Sequence, residues 1–243
     1  MNLTPEQERE LEYGCKIPMD YAAPCYFGNP NIPDAKINNG TASLVSYHGD
    51  NCAITNQHVI QAYKERSVNE ELQFYIGNKR FVLEDILVSE CPDYDLAVMY
   101  LGNVGAPEIG CLGNVPTAFI ELQDLEEPEL NENDFILFGG YPGGYRNRTG
   151  LSVSFGTFSS GSSQVQTVSR DIVTASLNIN QCIRYGNEDM LDDLGGISGG
   201  QALYQKTLAS GIVIHRFLGV VYQYSDSLDS LLIRPSNILR GLI

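Results

Sequence analysis

The sequence predicts an all-β protein whose strands form two groups of similar size. The 243 residues include 24 glycines and 11 prolines, and many short apolar runs are bounded by Gly, Asn or Asp. Such runs with frequent turns are typical of barrels and sandwiches. At this length the chain can bury a sizeable core as one functional unit, with helix as the minority element.

The first group of strands follows a short predicted helix. Residues 4–14 have a capping threonine, a proline at the first helical position and a closing glycine, which together predict this helix. We expect residues 1–37 to form an N-terminal segment containing it, and residues 38–120 to form a first β-barrel. Strands of this barrel are predicted at residues 42–47, 52–55, 72–76, 80–83 and 96–101.

An acidic stretch separates the two groups. Residues 121–134 contain seven Asp or Glu residues, one proline and little hydrophobic periodicity, which predicts a solvated linker. Residues 135–243 are then expected to form a second β-barrel. Its strands are predicted at residues 135–138, 151–158, 164–168, 172–177, 211–215 and 218–222.

Charge and composition exclude several partners. The net charge is −15 and no basic stripe is visible, which argues against a nucleic-acid partner. No apolar run approaches the about 20 residues that a membrane span needs, and the acidic residues 1–12 do not resemble a secretory signal. We therefore expect a cytoplasmic protein without a membrane partner. The six cysteines lack Cys-x-x-Cys spacing, so buried free thiols are expected rather than a metal site.

Three short segments carry residues of nucleophilic chemistry. They contain His58 in Ile-Thr-Asn-Gln-His-Val, Asp95 in Asp-Leu-Ala-Val and Ser198 in Gly-Gly-Ile-Ser-Gly-Gly. A serine hydroxyl is a poor nucleophile near neutral pH. It needs an imidazole to take its proton and a carboxylate to orient that imidazole. The three segments therefore predict a Ser/His/Asp triad.

The serine motif also fits the Gly-x-Ser-x-Gly elbow of α/β-hydrolases. That fold needs its acid and then its histidine after the serine. Ser198 is followed by only 45 residues, in which His215 precedes Asp226 and Asp229. This order is wrong for the elbow, and no alternating strand and helix pattern precedes Ser198.

The order His58, Asp95, Ser198 resembles that of the chymotrypsin-like (trypsin-fold) serine peptidases. In this family the histidine and aspartate come from a first barrel and the serine from a second. The resemblance covers about residues 38–240 and implies two six-stranded antiparallel β-barrels. The matching segments are the opening strand at residues 40–45, the Thr-x-x-His turn at 55–58, the Asp-Leu-Ala segment at 93–98 and a Gly-Gly-Tyr-Pro-Gly turn at 139–143 that is found in bacterial relatives.

The resemblance implies a role for each residue. Ser198 is the expected nucleophile, His58 the general base and then acid, and Asp95 the group that orients the imidazole. The backbone amides of Gly196 and Ser198 are the expected oxyanion hole. The residues leave alternatives open, which are Asp93 and Asp85 for the acid and His48 and His215 for the base.

Several positions depart from the secreted members of that family. Ile197 stands where they carry an aspartate that pairs with a new N-terminus after zymogen cleavage, and Gln201 replaces a proline. The disulfide of the histidine loop is missing, with Val59 and Ser43 at its two positions. These departures imply an intracellular, bacterial-type branch that is not activated by this ion pair.

The specificity residues are predicted from position alone. Asp192 lies six residues before Ser198, where trypsin-like members bind a substrate Lys or Arg; an exposed loop acid is the competing interpretation. Tyr222, Gln223 and Tyr224 are expected to form one wall of the substrate cleft, or to be ordinary strand residues.

The sequence thus predicts a serine endopeptidase that acts on a protein or peptide and needs no metal or cofactor. A cytosolic endopeptidase is hazardous unless it is restrained, so we also expect a latent form that responds to a trigger or to a regulatory protein partner. Residues 1–37 are the candidate lid or docking element. The alternative is a catalytically silent trypsin-fold binding module.

Overall fold

A computed structural model describes residues 4, 9, 13–29, 31–111, 115–122, 125, 127–177, 182–185, 194–225 and 229–243 of the chain. These residues are mostly β-strand, which confirms the predicted all-β, chymotrypsin-like fold class. Of the helix predicted at residues 4–14, the described Arg9, Tyr13 and Gly14 are helical. The rest of that prediction, apart from Thr4, lies outside the described residues.

The first sheet contains eight strands in the order β5-β4-β1-β2-β3-β7-β6, with β8 parallel to β2. All its other pairings are antiparallel. The strand β1 lies between β2 and β4, although it falls within the predicted N-terminal segment 1–37. The strands are β1 (Ala22–Gly28), β2 (Asn38–Tyr47), β3 (Asp50–Thr55), β4 (Gln73–Ile76), β5 (Lys79–Phe81), β6 (Leu87–Cys91), β7 (Leu96–Gly102) and β8 (Ile120–Glu121).

The second half of the chain forms a closed barrel. Six strands follow one another in the order β13-β17-β16-β15-β9-β12, and β12 pairs with β13 to close the ring, while β14 is attached to β12. The strands β10 and β11 form a separate hairpin. The strands are β9 (Phe135–Gly140), β10 (Arg146–Thr149), β11 (Ser152–Phe155), β12 (Thr157–Val168), β13 (Val173–Ser176), β14 (Cys182–Tyr185), β15 (Gln201–Thr207), β16 (Val213–Ser225) and β17 (Ser230–Pro235).

The two halves differ in closure. The second half is the predicted six-stranded barrel, whereas the first half is a curled sheet. Its outermost strands β5 and β6 do not pair with each other in the described ranges, and the short helix α2 separates them along the chain. Besides the helical residues near the N-terminus, the described ranges contain the helices α1 (Gln57–Ser67) and α2 (Leu83–Ile86), with 3-10 turns at Ile17–Tyr21, Pro92–Tyr94, Ala106–Ile109, Gly143–Tyr145 and Ser236–Leu239.

The acidic stretch contributes to the core as well as to the surface. Leu122 and Leu125 are buried within it, and the Leu122 amide donates to the Ser46 carbonyl at 2.8 Å. Both leucines pack in the apolar cluster between the two halves. The solvated character predicted for residues 121–134 therefore does not extend to these two side chains.

The strand β2 faces both cores because side chains alternate across a strand. Ala42 and Leu44 pack in the core of the first sheet. Val45, on the other face, packs against the second half, in the same cluster as Leu137 and Leu203. Thr41 and Ser43, which are also buried, lie on this second face. The strand β2 thus presents two hydroxyls to the barrel that carries the predicted nucleophile.

Replacing Leu137 with alanine tests the shared core. This side chain is 1% exposed, and we expect Leu137→Ala to lower the free energy of unfolding by about 2–5 kcal/mol. Urea unfolding is the measurement. Leu151, which is 61% exposed, is the control, and Leu151→Ala should change stability by less than about 0.5 kcal/mol. Equal losses in the two variants would contradict the core assignment.

Candidate active site

Helix α1 positions His58. It begins directly after β3, and Asn56 at its N-cap keeps an extended backbone. Val59, Ile60 and Tyr63 are buried in the core of the first sheet, which fixes the helix on that sheet. His58 lies in the first turn, and its side chain is 55% exposed. The imidazole is therefore anchored through its backbone and open to a ligand.

Asp95 holds both the ring and the backbone of His58. Its Oδ2 lies 2.7 Å from His58 Nδ1, and its Oδ1 accepts a 2.8 Å hydrogen bond from the His58 amide. The carboxylate only accepts hydrogen bonds, so Nδ1 must carry the proton and Nε2 becomes the acceptor nitrogen of the neutral ring. Asp95 has a left-handed backbone, with φ 55° and ψ 49°, at the end of the turn that precedes β7. Such backbones cost about 1 kcal/mol or more and are frequent at functional sites.

Asn56 is a site residue that the sequence analysis missed. It is buried, and its Nδ2 donates to the Asp95 carbonyl at 2.8 Å and to Asp95 Oδ2 at 3.1 Å. It therefore orients the carboxylate that orients His58. The sequence signal for this role is the polar residue at position 56, where the Thr-Ala-x-His turn of the resembled family has alanine.

The alternative acids and bases lie elsewhere. Asp93 is exposed in the 3-10 turn before Asp95, and Asp85 is exposed on α2. His48 lies in a turn, where its ring contacts the tilted ring of Tyr47. His215 lies on β16, where burial lowers its pKa. Among the described acids, Asp95 alone is hydrogen-bonded to the predicted base.

The first sheet holds the loop around Ser198 by its carbonyl groups. The Thr41 amide donates to the Ser198 carbonyl at 2.8 Å, and the Thr41 hydroxyl donates to the Gly196 carbonyl at 2.9 Å. The Ser43 hydroxyl donates to the Gly199 carbonyl at 2.8 Å. A β-carbon at Gly199 would lie 1.8 Å from the Thr41 carbonyl oxygen, so only glycine permits this approach.

The same loop leaves two amides available. The Gly143 amide donates to the Gly195 carbonyl at 2.6 Å, and because the peptide is planar and trans, the Gly196 N–H points the opposite way. Gly196 has φ 98°, a backbone that favours glycine. In the described part of the chain, the N–H groups of Gly196 and Ser198 have no hydrogen-bond partner. Two free donors beside a serine are what an oxyanion hole requires.

The nucleophile and its partners line one cleft. The Ser198 hydroxyl donates to the Tyr222 carbonyl at 3.3 Å, and no hydrogen bond joins it to His58 among the described contacts. Asp192 lies outside the described residues, so its predicted role in specificity stays a prediction. The residues lining the cleft are His58, Asp95, Leu194, Gly195, Ile197, Ser198, Tyr222, Gln223 and Tyr224.

Ile197 stabilises the loop by burial. Its side chain is 1% exposed and lies in the core of the second barrel, in the same cluster as Leu194 and Phe138. Apolar packing therefore holds the loop at the position where secreted members of the resembled family carry the aspartate of an ion pair.

The described residues also bear on metal ligands, membrane-spanning helices and thiols. No three of their His, Cys, Asp and Glu side chains lie together as a metal site would need. No helix in the described ranges is long and apolar enough to cross a membrane. All six cysteines are free thiols, of which Cys15, Cys25 and Cys52 are buried and the other three are partly exposed.

Comparison with known proteins finds matches among solved structures. No protein-family model and no curated protein matches the sequence. Similar solved structures include an inactive serine-to-alanine mutant of Rv3671c from M. tuberculosis H37Rv, which is 15% identical with a TM-score of 0.44 over 93% of this chain and 86% of that chain. Deg5 is 16% identical, with a TM-score of 0.48 over 99% of this chain and 95% of that chain.

The class of the chain follows from its own topology. A curled sheet supplies His58 and Asp95, a closed six-stranded barrel supplies Ser198, and the three face one cleft. The chain therefore has the trypsin-like serine protease fold.

Two buried threonines test the hydrogen bonds of the loop. Thr41→Val removes the hydroxyl that donates to the Gly196 carbonyl and accepts from the Tyr141 amide at 2.9 Å. We expect the free energy of unfolding to fall by about 1–3 kcal/mol, because buried groups lose their partners. Chemical denaturation is the measurement.

Thr157 is the matched control for this change. It is 3% exposed on β12, and its hydroxyl finds no hydrogen-bond partner in the described part of the chain. Thr157→Val should therefore leave stability unchanged or raise it. A loss in Thr157→Val as large as that in Thr41→Val would contradict the role assigned to Thr41.

Proposed function

We propose that the protein is a serine endopeptidase that hydrolyses peptide bonds through Ser198, His58 and Asp95. The observation that carries the proposal is the meeting, in one cleft, of a carboxylate-bound imidazole and a serine whose loop carries two free amides. Its substrate is a protein or peptide, and the chemistry requires no cofactor.

The proton path follows from the tautomer of His58. Asp95 holds the proton on Nδ1, so Nε2 takes the proton of the Ser198 hydroxyl as the oxygen attacks the substrate carbonyl carbon. The protonated ring then gives this proton to the leaving amine, and an acyl-enzyme remains. Water then attacks the acyl-enzyme while Nε2 takes its proton, and the acyl group leaves as a carboxylic acid.

The Gly196 and Ser198 amides stabilise the negative charge that develops on the substrate oxygen. They are held in place before the reaction because the carbonyls of the same two peptide groups are bound, that of Gly195 by the Gly143 amide and that of Ile197 by the Gly200 amide. Loss of one such donor typically lowers turnover by about 10²- to 10³-fold.

The orientation of the Ser198 side chain supports regulated activity. Its hydroxyl donates to Tyr222 in the free protein, so attack requires rotation of the side chain toward His58. We propose that substrate or a regulatory partner brings about this rotation. Within residues 1–37, any removable lid lies ahead of Gly14, because Gly14 lies against Gly161, Cys15 is fully buried and β1 is an integral strand of the first sheet.

A catalytically silent binding module is the second candidate. The observation that favours it is the same hydroxyl orientation, with no described hydrogen bond between Ser198 and His58. Catalytic hydrogen bonds are often loose in ligand-free sites and tighten around the substrate, so this observation does not outweigh the proposed triad.

Labelling with a fluorophosphonate probe distinguishes the two candidates. We expect the wild-type protein to react at Ser198, and Ser198→Ala and His58→Ala to stay unlabelled, because the hydroxyl needs the imidazole. Ser154→Ala is the control, since this serine lies on the β11 hairpin strand. Labelling is read by intact-protein mass. A folded wild type that stays unlabelled and, in a separate assay, cleaves no peptide would refute the proposal.

The choice of acid is tested by a matched pair. Asp95→Asn leaves the shape of the side chain but favours the wrong tautomer of His58, so we expect kcat to fall by about 10³- to 10⁴-fold. Asp93→Asn, two residues earlier on the exposed turn, should change kcat less than about twofold. Peptide cleavage is the measurement. An equal fall in both variants would exclude a specific role for Asp95.

A further inference from the structure

Arg146 is a half-buried cation without an acidic partner. It begins β10, and its Nη1 donates to Asn39 Oδ1, an uncharged amide oxygen. No ion pair involves it in the described part of the chain, although the protein carries 30 Asp and Glu residues. Burial lowers its pKa, as expected for a cation without a nearby anion. The guanidinium keeps most of its five donors for a ligand.

This arginine lies beside the proposed oxyanion hole. A β-carbon at Gly143 would lie 3.9 Å from Arg146 Nη1, and the Gly143 amide holds the carbonyl of Gly195. A β-carbon at Gly196 would lie 2.8 Å from Asn39 Nδ2. The Oδ1 atom of the same side chain accepts the hydrogen bond from Arg146. The Asn39 side chain thus lies between the guanidinium and Gly196.

The two flanks of the nucleophile loop indicate which half of a substrate meets Arg146. On the C-terminal flank, the Gly199 amide donates to the Val221 carbonyl at 2.8 Å. The strand β16 pairs with β15 only as far as Val220, so Tyr222 and Gln223 lie beyond this pairing, where the acyl half of a peptide can add to the strand. Arg146 lies on the N-terminal flank of the loop, next to Gly195. An extended peptide that reacts at Ser198 therefore places its leaving-group half near Arg146.

We propose that Arg146 binds a carboxylate in the leaving-group half of the substrate. The enzyme then prefers an acidic residue shortly after the cleaved bond. Arginine suits this role because its planar guanidinium matches a carboxylate with two parallel hydrogen bonds. The net charge of −15 opposes acidic substrates at long range, but salt screens this field beyond about 8–10 Å. The proposal rests on the proposed endopeptidase function.

Matched peptides test the preference. Two quenched fluorescent peptides share one acyl half and a C-terminal amide, and differ by Glu or Gln after the cleaved bond. We expect kcat/KM to be about tenfold higher for the Glu peptide, the scale of one charge-assisted contact that is partly exposed. A third peptide with Gln and a free C-terminal carboxylate separates a side-chain carboxylate from a chain terminus.

Variants assign the preference to Arg146. Arg146→Gln should remove it, and Arg146→Glu should reverse it toward a peptide with Lys at the same position, which structural damage cannot do. Arg148→Gln is the matched control on the same strand, since Arg148 donates to carbonyl groups of Ala35, Ile32 and Gly150. It should keep the preference of the wild type. A preference for the free-carboxylate peptide that Arg146→Gln abolishes would support carboxylate binding and identify the chain terminus as the ligand.

A binding measurement separates this proposal from the proposed activity. The Ser198→Ala protein is titrated with the labelled peptides, and fluorescence anisotropy gives their affinities. Tighter binding of the Glu peptide, lost in Arg146→Gln, would support carboxylate binding by Arg146. It would do so even if the wild type cleaves none of the peptides, because the lack of cleavage would refute only the proposed protease activity. Equal affinity and equal kcat/KM for the Glu and Gln peptides would overturn the proposal for Arg146.

Discussion

The candidate site depends on how the carbonyl groups of the nucleophile loop are bound. A peptide group points its C=O and N–H in opposite directions, so binding the carbonyl of one residue also fixes the direction of the next residue's N–H. The Gly143 amide binds the Gly195 carbonyl and so directs the Gly196 N–H, and the Gly200 amide binds the Ile197 carbonyl and so directs the Ser198 N–H. Thr41 and Ser43 bind three further carbonyls and hold the loop itself. Because the donors are fixed before a substrate arrives, the reaction does not have to reorganise them.

This constraint also explains why two sheets are needed. Thr41 and Ser43 lie on the same strand face as Val45, which packs in the apolar cluster shared by the two halves. Burial of that face positions the hydroxyls, and the hydroxyls position the loop. The base and acid are likewise supplied by elements packed on the first sheet, so the relative placement of the sheets determines the geometry of the triad.

Local patterns predicted most of the fold. Short apolar runs between turns indicated the strands of both halves, because alternation and turn residues act over a few positions. They did not reveal α1. Its first residues belong to the Thr-x-x-His motif, for which the resemblance implies a turn. The place of β1 between β2 and β4 was also missed, because the apolar pattern of a strand does not show which strands pair with it. Strand partners are chosen by long-range contacts.

By itself the sequence determined the all-β class and the order of His58, Asp95 and Ser198, because spacing and residue chemistry are properties of short segments. Tertiary structure decided which acid meets His58, since Asp95, at the left-handed end of its turn, is the described acid that hydrogen-bonds the imidazole. It also decided the role of Asn56 and the pairing of Arg146 with the uncharged Asn39. Each depends on groups brought together by folding from up to 107 positions apart, a distance over which no local pattern carries information.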